Sequence, residues 1–398
     1  MSESALKHIE HLSVAIGPRG STTPKEKAGH DYVQNTLNEL GCATRVEEFQ
    51  SSTSAYLPFS LALALMLVAE VIFYTLASSP NAQAGALAAL VLGVVVTVSG
   101  VMELMLRDNP LRWLLPLGQS QNVVGVTPAS GEAQRKLVVM AHVDSHRTPF
   151  FWWSPNTYQV YRIISVFSFL SLVAMNVIFL VGVFAPGGGL RNASLIPAAV
   201  IGLMLLLLVQ AHNTPYTAGA NDNASGVGVL LALAERLQRE PLANSEVWWV
   251  ASGCEEVGVY GSADFVHRHQ DELAEAEDVF VSVDNIAGKG TDLVYLRQEG
   301  LLFPMPYPAE MLALADKLAV AHPDLKVRAF ALQGVNTDAA HALQAGLPAL
   351  SLLSVTRRGW IPNWHHPSDV FANVDAEAVD RAERFVGELL QRLDAGAK

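Results

Sequence analysis

The chain of 398 residues is long enough for one large domain or two ordinary ones, so the burial of a hydrophobic core is not a limitation. Hydrophobic residues make up 51% of the chain and charged residues only 16%, which is too apolar for an ordinary soluble enzyme and predicts membrane segments. The net charge is −12, and no cluster of lysine and arginine offers the cationic surface that nucleic-acid binding requires, so we exclude that class of partner.

The N-terminal stretch predicts the start of a soluble domain. Its first 20 residues, "MSESALKHIEHLSVAIGPRG", are polar and contain no apolar core, so we expect no signal peptide. A helical pattern follows near residues 24–40, and a β-type run follows at "VEEF". The two cysteines, Cys42 and Cys254, lie far apart and show no pairing pattern, which is typical of a reducing compartment.

Four apolar runs then interrupt the soluble pattern, at residues 57–77, 84–106, 160–184 and 195–211. About 20 apolar residues span a bilayer as a helix, so each run is a candidate transmembrane helix. The connectors "SSPNAQA" and "APGGGLRNAS" join them in pairs, which predicts two hairpins. Buried core helices remain the alternative, above all for the fourth and shortest run.

A hairpin returns the chain to the side of the membrane from which it left, so the soluble stretches can assemble together. We therefore predict one α/β domain from residues 1–55, 108–156 and 212–398, with hairpins at 56–107 and 157–211. Its further β-type runs are "NVVGVT", "KLVVMAHVD", "EVWWVAS", "DVFVSVDN", "DLVYLR", "KVRAFAL" and "PALSLLSV", and its further helical patterns lie near 223–239, 257–270, 308–321, 337–345 and 374–394. This alternation predicts a mixed β-sheet sandwiched by helices.

Acidic and histidine residues gather where the predicted strands end. They are His142 and Asp144 in "AHVDS", Asp222 in "GANDNASG", Glu255 and Glu256 after "EVWWVASGC", Asp284 in "SVDN" and His365 in "NWHHPSD". Because ligands bind beyond the carboxyl ends of strands in open α/β sheets, we expect these side chains to share one rim.

This set of residues fits a pair of metal ions better than a single ion. Three carboxylates and two neutral imidazoles carry about −3, and two divalent cations with one hydroxide would bring the total near neutral. Neighbouring side chains point in different directions, so Glu256 can bind metal while Glu255 stays free to accept a proton from water. Asp144 is placed to receive the second ring N–H of His142, which makes it a member of the catalytic group.

Each motif also has a simpler interpretation: a solvated helix start for "EE", a turn with a helix cap for "NDNASG", and a surface loop for His365 and His366. The order of the motifs, and their common place at strand ends, favours the joint site. Glu70 is a separate candidate, because a carboxylate inside an apolar run should face a partner helix or water, or be protonated.

The motifs "AHVDS", "GANDNASGVGVLLALAERL", "GCEEVGVYGSADFV", "SVDNIAG" and "WHHPSDVFANVD" resemble, in order, those of the two-zinc aminopeptidase family. That group includes bacterial leucyl aminopeptidases, glutamate carboxypeptidases and glutaminyl cyclases. The resemblance covers everything except the hairpins, and it implies the family's zinc exopeptidase fold, with a phosphorylase/hydrolase-like mixed sheet between helices.

Carried over by position, the resemblance implies two Zn²⁺ ions per chain. His142 and Asp284 would bind one ion, Glu256 and His365 the other, Asp222 would bridge both, and Glu255 would be the general base. A site of carboxylates and two imidazoles could also accept Mn²⁺ or Co²⁺. His366 stands where the family usually has Thr or Ser. The family also joins the His142 and Asp222 motifs by a short loop, whereas here the second hairpin separates them.

The resemblance therefore implies a membrane-anchored di-zinc aminopeptidase with a peptide substrate and membrane lipid around its hairpins. The alternatives are a glutaminyl-cyclase-like transferase with one zinc, a non-catalytic membrane scaffold and a metal transporter. Arg107, Arg112 and Arg162 flank the hairpins on the catalytic side, against Arg191 in the far connectors, which favours a cytoplasmic catalytic domain. The oligomeric state stays open.

Overall fold

The computed structural model describes residues 3–274, 278–332 and 334–397. The chain divides into two compact units. One consists of Met1–Thr53, Leu117–Thr148 and Pro215–Lys398, and the other of Ser54–Pro116 and Pro149–Thr214.

The first unit is built on a mixed β-sheet flanked by helices, which confirms the predicted fold class. In the described residues its strands are β1 (Ala43–Ser52), β2 (Leu117–Thr127), β3 (Arg135–His142), β4 (Ser245–Ser252), β5 (Val279–Val283), β6 (Asp292–Glu299), β7 (Met305–Pro306), β8 (Val327–Ala331) and β9 (Ala349–Val355). They lie in the order β1-β2-β4-β3-β5-β9-β6-β7, and β8 pairs with β6. The two-residue strand β7 was not predicted from the sequence.

The centre of the sheet is parallel, and its register sets the position of the candidate site. Strands β4, β3, β5 and β9 are parallel neighbours, whereas β1, β2 and β6 join antiparallel. His142 pairs with Ser252, so β3 and β4 end at the same level. Strand β5 pairs with β3 up to Met140 and Ser282, and the chain reaches Asp284 two residues later. Three strands therefore end together at one edge.

Helices cover both faces of this sheet. They are α1 (Glu3–Glu10), α2 (Pro24–Glu39), α7 (Ala224–Arg239), α8 (Tyr260–Ala274), α9 (Ala309–Ala321), α10 (Ala339–Gln344) and α11 (Ala376–Ala395). Side chains alternate along a strand. Accordingly, Val139 and Trp249 lie in one core cluster with α7 and α11, and Met140 and Val250 lie in another with α8 and α10.

Helix α1 was not predicted, because its apolar residues are few. Ala5 and Ile9 of α1, and Leu12 in the helical segment that follows it, are nevertheless all fully buried in the core cluster of α7. The short polar N-terminal stretch is therefore part of the folded unit.

The second unit contains four helices that are long and apolar enough to cross a membrane. They are α3 (Leu57–Leu76), α4 (Ala82–Leu104), α5 (Pro155–Phe184) and α6 (Gly188–His212), and they confirm the prediction of two hairpins. The second connector is shorter than predicted, because α6 begins at Gly188 and takes most of "APGGGLRNAS" into its first turns. The fourth apolar run thus belongs to a helix of 25 residues.

Each helix of this unit packs against two others, in the cyclic order α3-α4-α5-α6. Polar side chains join the helices inside the bundle. Glu70 accepts a hydrogen bond of 2.6 Å from Ser194, and the Asn176 amide donates one of 2.8 Å to Thr97. Large apolar side chains such as Ile196 and Leu206 are exposed on the outside, as expected for a surface that faces lipid.

Candidate metal centre

The structure brings all five sequence-predicted ligands to the edge where the central strands end. His142 is the last residue of β3, Asp284 follows β5, and Glu256 follows β4. Asp222 directly precedes Asn223, whose side chain caps α7, and His365 lies between β9 and α11. Each of the five side chains is at least nine-tenths buried, except Asp284, whose side chain is 11% exposed.

The first group of candidate ligands surrounds His142. Its Nε2 atom lies 3.3 Å from Asp222 Oδ1 and 3.3 Å from Asp284 Oδ1. Two ligand atoms in a tetrahedral zinc site lie roughly 3.3 Å apart, because each is about 2.0 to 2.1 Å from the metal. The spacing of His142, Asp222 and Asp284 therefore suits one zinc-sized ion.

The second group surrounds His365. Its Nε2 atom lies 3.2 Å from Asp222 Oδ2 and 3.2 Å from Glu256 Oε2. Asp222 thus directs one carboxylate oxygen to His142 and the other to His365. This is the arrangement that a carboxylate shared by two ions requires.

Asp144 acts on this site in two ways. Its main-chain oxygen lies 3.1 Å from His142 Nδ1 and accepts the ring N–H, so the lone pair stays on Nε2. Its carboxylate, 3.4 Å from Nδ1, accepts the main-chain N–H groups of Glu255 at 3.1 Å and Glu256 at 3.2 Å, and the Ser21 hydroxyl at 2.6 Å. The ring N–H was expected to reach the carboxylate, whereas the main-chain oxygen is nearer and the carboxylate mainly holds the 255–256 turn.

Glu255 stands beside the two ligand groups without belonging to either. Its Oε2 atom lies 3.9 Å from His142 Nε2, and its side chain is 11% exposed. Burial raises the pKa of Glu255 well above its usual value, and the carboxylates of Glu256, Asp284 and Asp338 raise it further against the opposing effect of His142. A carboxylate with a raised pKa holds a proton more readily than an exposed one, as a group that accepts and returns a proton requires.

The site residues fit divalent metal ions. Buried atoms with no hydrogen-bond partner among the described residues include His142 Nε2, Asp222 Oδ2 and Glu256 Oε1. Burial, together with the charge of Asp222, raises the pKa of Glu256 well above its usual value. Unpaired lone pairs and mutually repelling carboxylates in one buried place are what bound cations would compensate.

Sequence reasoning missed three residues that contribute to this site. His146 lies with Glu256 and His365 in a group whose ligand atoms are all within 4.8 Å of one another. Asp369 accepts the main-chain N–H groups of residues 221 and 222, at 2.6 and 3.1 Å, and so holds the turn that carries Asp222. Its place in "HPSD" was visible in the sequence.

The third missed residue is Glu26 in α2. Its carboxylate is 2% exposed and accepts the Cys254 N–H at 2.9 Å and the Ser120 hydroxyl at 3.0 Å. Burial, with the nearby charge of Asp144, raises the pKa of Glu26 to about 8. Glu26 thus holds the main chain of Cys254, the residue just before Glu255. His366, in contrast, is directed to Ser368, 2.6 Å from its Nδ1 atom.

Comparison with known proteins relates part of this chain to a peptidase family. The model of Peptidase family M28 matches residues 204–390. Aminopeptidase YwaD of Bacillus subtilis is 39% identical over 75 residues, which is 18% of this chain and 16% of that protein, so the match spans a small part of the relative.

Solved structures align over nearly the whole chain and show the fold. A zinc aminopeptidase from Bacillus subtilis has a TM-score of 0.57 at 15% identity, covering 98% of this chain and 94% of that one. A glutaminyl cyclase from Porphyromonas gingivalis also has a TM-score of 0.57 at 15% identity, covering 99% and 98%. Residues 204–390 therefore match peptidase family M28, and the chain shares its fold with solved zinc aminopeptidases and glutaminyl cyclases.

Proposed function

We propose that this protein is a membrane-anchored, zinc-dependent exopeptidase that releases N-terminal residues from peptides. The observation that carries the proposal is the placement of Asp222, with one oxygen 3.3 Å from His142 Nε2 and the other 3.2 Å from His365 Nε2. A buried carboxylate between two buried imidazoles suits two ions about 3.5 to 4 Å apart, the separation used in two-metal hydrolysis.

We assign the residues as follows. His142 and Asp284 would hold one ion, Glu256 and His365 would hold the other, and Asp222 would contribute one carboxylate oxygen to each group. When bound, two divalent cations supply Lewis-acid polarisation of the scissile carbonyl and lower the pKa of water. Mn²⁺ or Co²⁺ could replace zinc at a site with these ligands.

Glu255 is the proposed general base. It accepts the proton of the attacking water at its carboxylate and then donates it to the leaving amine, so the carboxylate is regenerated in each turnover. Asp144 is a positioning residue, because its carboxylate fixes the main chain of Glu255 and Glu256.

Replacing Glu255 with Gln tests this mechanism. We expect hydrolysis of chromogenic aminoacyl amides to fall by about 10² to 10⁴. Metal analysis should still find two ions per chain, because Glu255 belongs to neither ligand group. The control Glu48→Gln changes an exposed carboxylate on β1 and should leave the rate unchanged. Wild-type activity in E255Q would contradict the assigned role.

We also propose that residues 1–55, 108–156 and 212–398 form the catalytic domain, with hairpins at 56–107 and 157–211 and the catalytic domain in the cytoplasm. The excess of arginine beside the catalytic ends of the hairpins supports this orientation.

Because Cys42 and Cys254 are buried, a membrane-impermeant maleimide can report introduced cysteines. On intact cells it should label Asn81→Cys in the first connector and not Glu132→Cys in the α/β domain. The reverse pattern would overturn the orientation.

A glutaminyl-cyclase-like transferase with one zinc is the second candidate, because solved glutaminyl cyclases share this fold. Such an enzyme would release ammonia from a peptide with N-terminal glutamine and leave a cyclised terminus. Two complete ligand groups favour the two-metal hydrolase. Ammonia release from a glutamine peptide without release of free amino acid would favour the cyclase instead.

A further inference from the structure

The segment just after β3 holds His146 in a fixed main-chain position. Arg147 and Tyr216 form an antiparallel bridge, flanked by hydrogen bonds from Thr217 N–H to the His146 carbonyl at 2.9 Å and from Thr148 N–H to the Pro215 carbonyl at 3.0 Å. This short ribbon lies where the chain departs into residues 149–214 and returns from them. His146 is thus anchored by strand pairing on both sides of the insertion.

The ring of His146 has the tautomer that a metal ligand needs. Its Nδ1 atom lies 2.7 Å from the Arg147 carbonyl oxygen, to which it donates its proton. The lone pair is therefore on Nε2. A carbonyl that accepts one ring N–H and fixes the other nitrogen for metal is the usual arrangement around ligating histidines.

The ring also lies at the second ligand group. His146 is 7% exposed, and its ring stacks on that of His365 with centroids 3.5 Å apart and planes inclined by 17°. One ligand atom from each of His146, Glu256 and His365 lies within 4.8 Å of the others. Atoms bound to one tetrahedral zinc ion lie roughly 3.3 Å apart, so binding by both imidazoles requires the two rings to turn out of their stack toward a common ion.

We propose that His146 is an additional ligand of the metal ion held by Glu256 and His365. This inference rests on the proposed function. That ion then has four protein ligands, namely His146, Glu256, His365 and Asp222, whereas the ion at His142 has three. Sites with four protein ligands are typical of tightly held zinc, and sites with three keep a position open for water or substrate. The two ions therefore differ: the one at His146 is the tighter, and the one at His142 keeps the position for substrate.

The second imidazole also changes which metal this site prefers. Two imidazoles and two carboxylates suit zinc or cobalt, whereas carboxylate-rich sites suit manganese better. We therefore expect Mn²⁺ to replace the ion at His142 more readily than the ion at His146. In the wild-type protein, chelation should remove one ion well before the other.

The zinc X-ray absorption spectrum of the fully loaded wild-type protein tests the proposal without any variant. Three imidazoles shared by two ions give an average of about 1.5 per zinc, and two imidazoles give about 1.0. An average near 1.5 is expected, and an average near 1.0 would overturn the proposal. Finding no zinc, or a single ion, would instead overturn the proposed two-metal function, so the two failures are distinguishable.

Chelator competition on variants in detergent gives a second readout. His146→Ala should lower the affinity for one ion by about 100-fold or more and leave the other unchanged. His267→Ala removes an exposed imidazole from α8 and should change neither affinity. Thermal unfolding of the zinc-loaded variants would show whether H146A is folded. If it is not, His146→Gln serves as the substitute, since it keeps much of the volume and removes the imidazole. Wild-type affinity for both ions in the folded variant would contradict a ligand role.

Discussion

Asp144→Asn tests how the turn bearing Glu255 and Glu256 is held. Asp144 is fully buried, and its two carboxylate oxygens accept both main-chain N–H groups and the Ser21 hydroxyl. An asparagine keeps one oxygen and places an NH₂ group where the other was. At least one main-chain N–H then faces a donor instead of an acceptor.

The expected loss follows from these contacts. One hydrogen bond to a charged acceptor contributes about 1.5 to 3 kcal/mol, and a buried N–H left without an acceptor costs about 1 to 3 kcal/mol. We therefore expect D144N to lower the free energy of unfolding by about 2.5 to 6 kcal/mol. A displacement of Glu255 by about 1 Å should also lower kcat by about 10².

The assays are thermal unfolding and aminoacyl amide hydrolysis in detergent, with metal analysis of each variant. Asp31→Asn is the matched control, since Asp31 pairs with Lys27 at an exposed i,i+4 position and should contribute below about 0.5 kcal/mol. Ser21→Ala removes one of the three hydrogen bonds and should have an intermediate effect. Wild-type Tm and kcat in D144N would refute the reasoning. Loss of the ion at His142 with an unchanged kcat on reloading would show that Asp144 acts mainly through the imidazole.

Three further predictions concern metal removal, a buried carboxyl group and the helix bundle. Burial raises the pKa of Glu256 in the metal-free chain, so the contribution of this group to stability is fully present below the ordinary carboxyl pKa and is lost as pH rises. The difference in Tm between zinc-loaded and chelated protein should therefore widen from pH 5 to pH 8, and a constant difference would contradict this. Burial also raises the pKa of Glu299 to about 8. The free energy of unfolding of the wild type should therefore fall by about 3 kcal/mol relative to that of Glu299→Gln between pH 5 and pH 8. Parallel stability curves for the two proteins would refute the assignment. Asn176→Ala removes the hydrogen bond to Thr97 and should lower the free energy of unfolding in detergent by about 1 kcal/mol. Val177→Ala, at an exposed position on the same helix, should have less effect. Equal effects would show that the hydrogen bond contributes nothing.

Much of the fold could be predicted because its elements are encoded locally. The apolar runs of the four long helices, and the β-type runs that became the central strands, carry their own periodicity. The common level of His142 and Asp284 could be anticipated, since carboxyl ends of parallel strands meet at one edge. Helix α1 was not predicted, because three apolar residues in a polar stretch do not indicate a helix until the core that buries them is known. The second connector was misjudged because glycines in its sequence indicated a loop, whereas α6 accommodates Gly188 in its first turn.

The details of the candidate site depend on contacts between distant segments. His146 and His365 stack only because the ribbon after β3 and the loop after β9 meet in space, which no local pattern reveals. The same holds for Glu26, which reaches Cys254 from α2. In the case of Asp144, the sequence indicated the neighbourhood of His142 but not the competing main-chain N–H donors of Glu255 and Glu256.

The most direct test of the two-ion site is anomalous diffraction at the zinc absorption edge from crystals of the full chain purified with zinc. Two peaks about 3.5 to 4 Å apart are expected, one beside His142 and Asp284 and one beside Glu256 and His365, with Asp222 in contact with both. A single peak, or two peaks that do not share Asp222, would contradict the account.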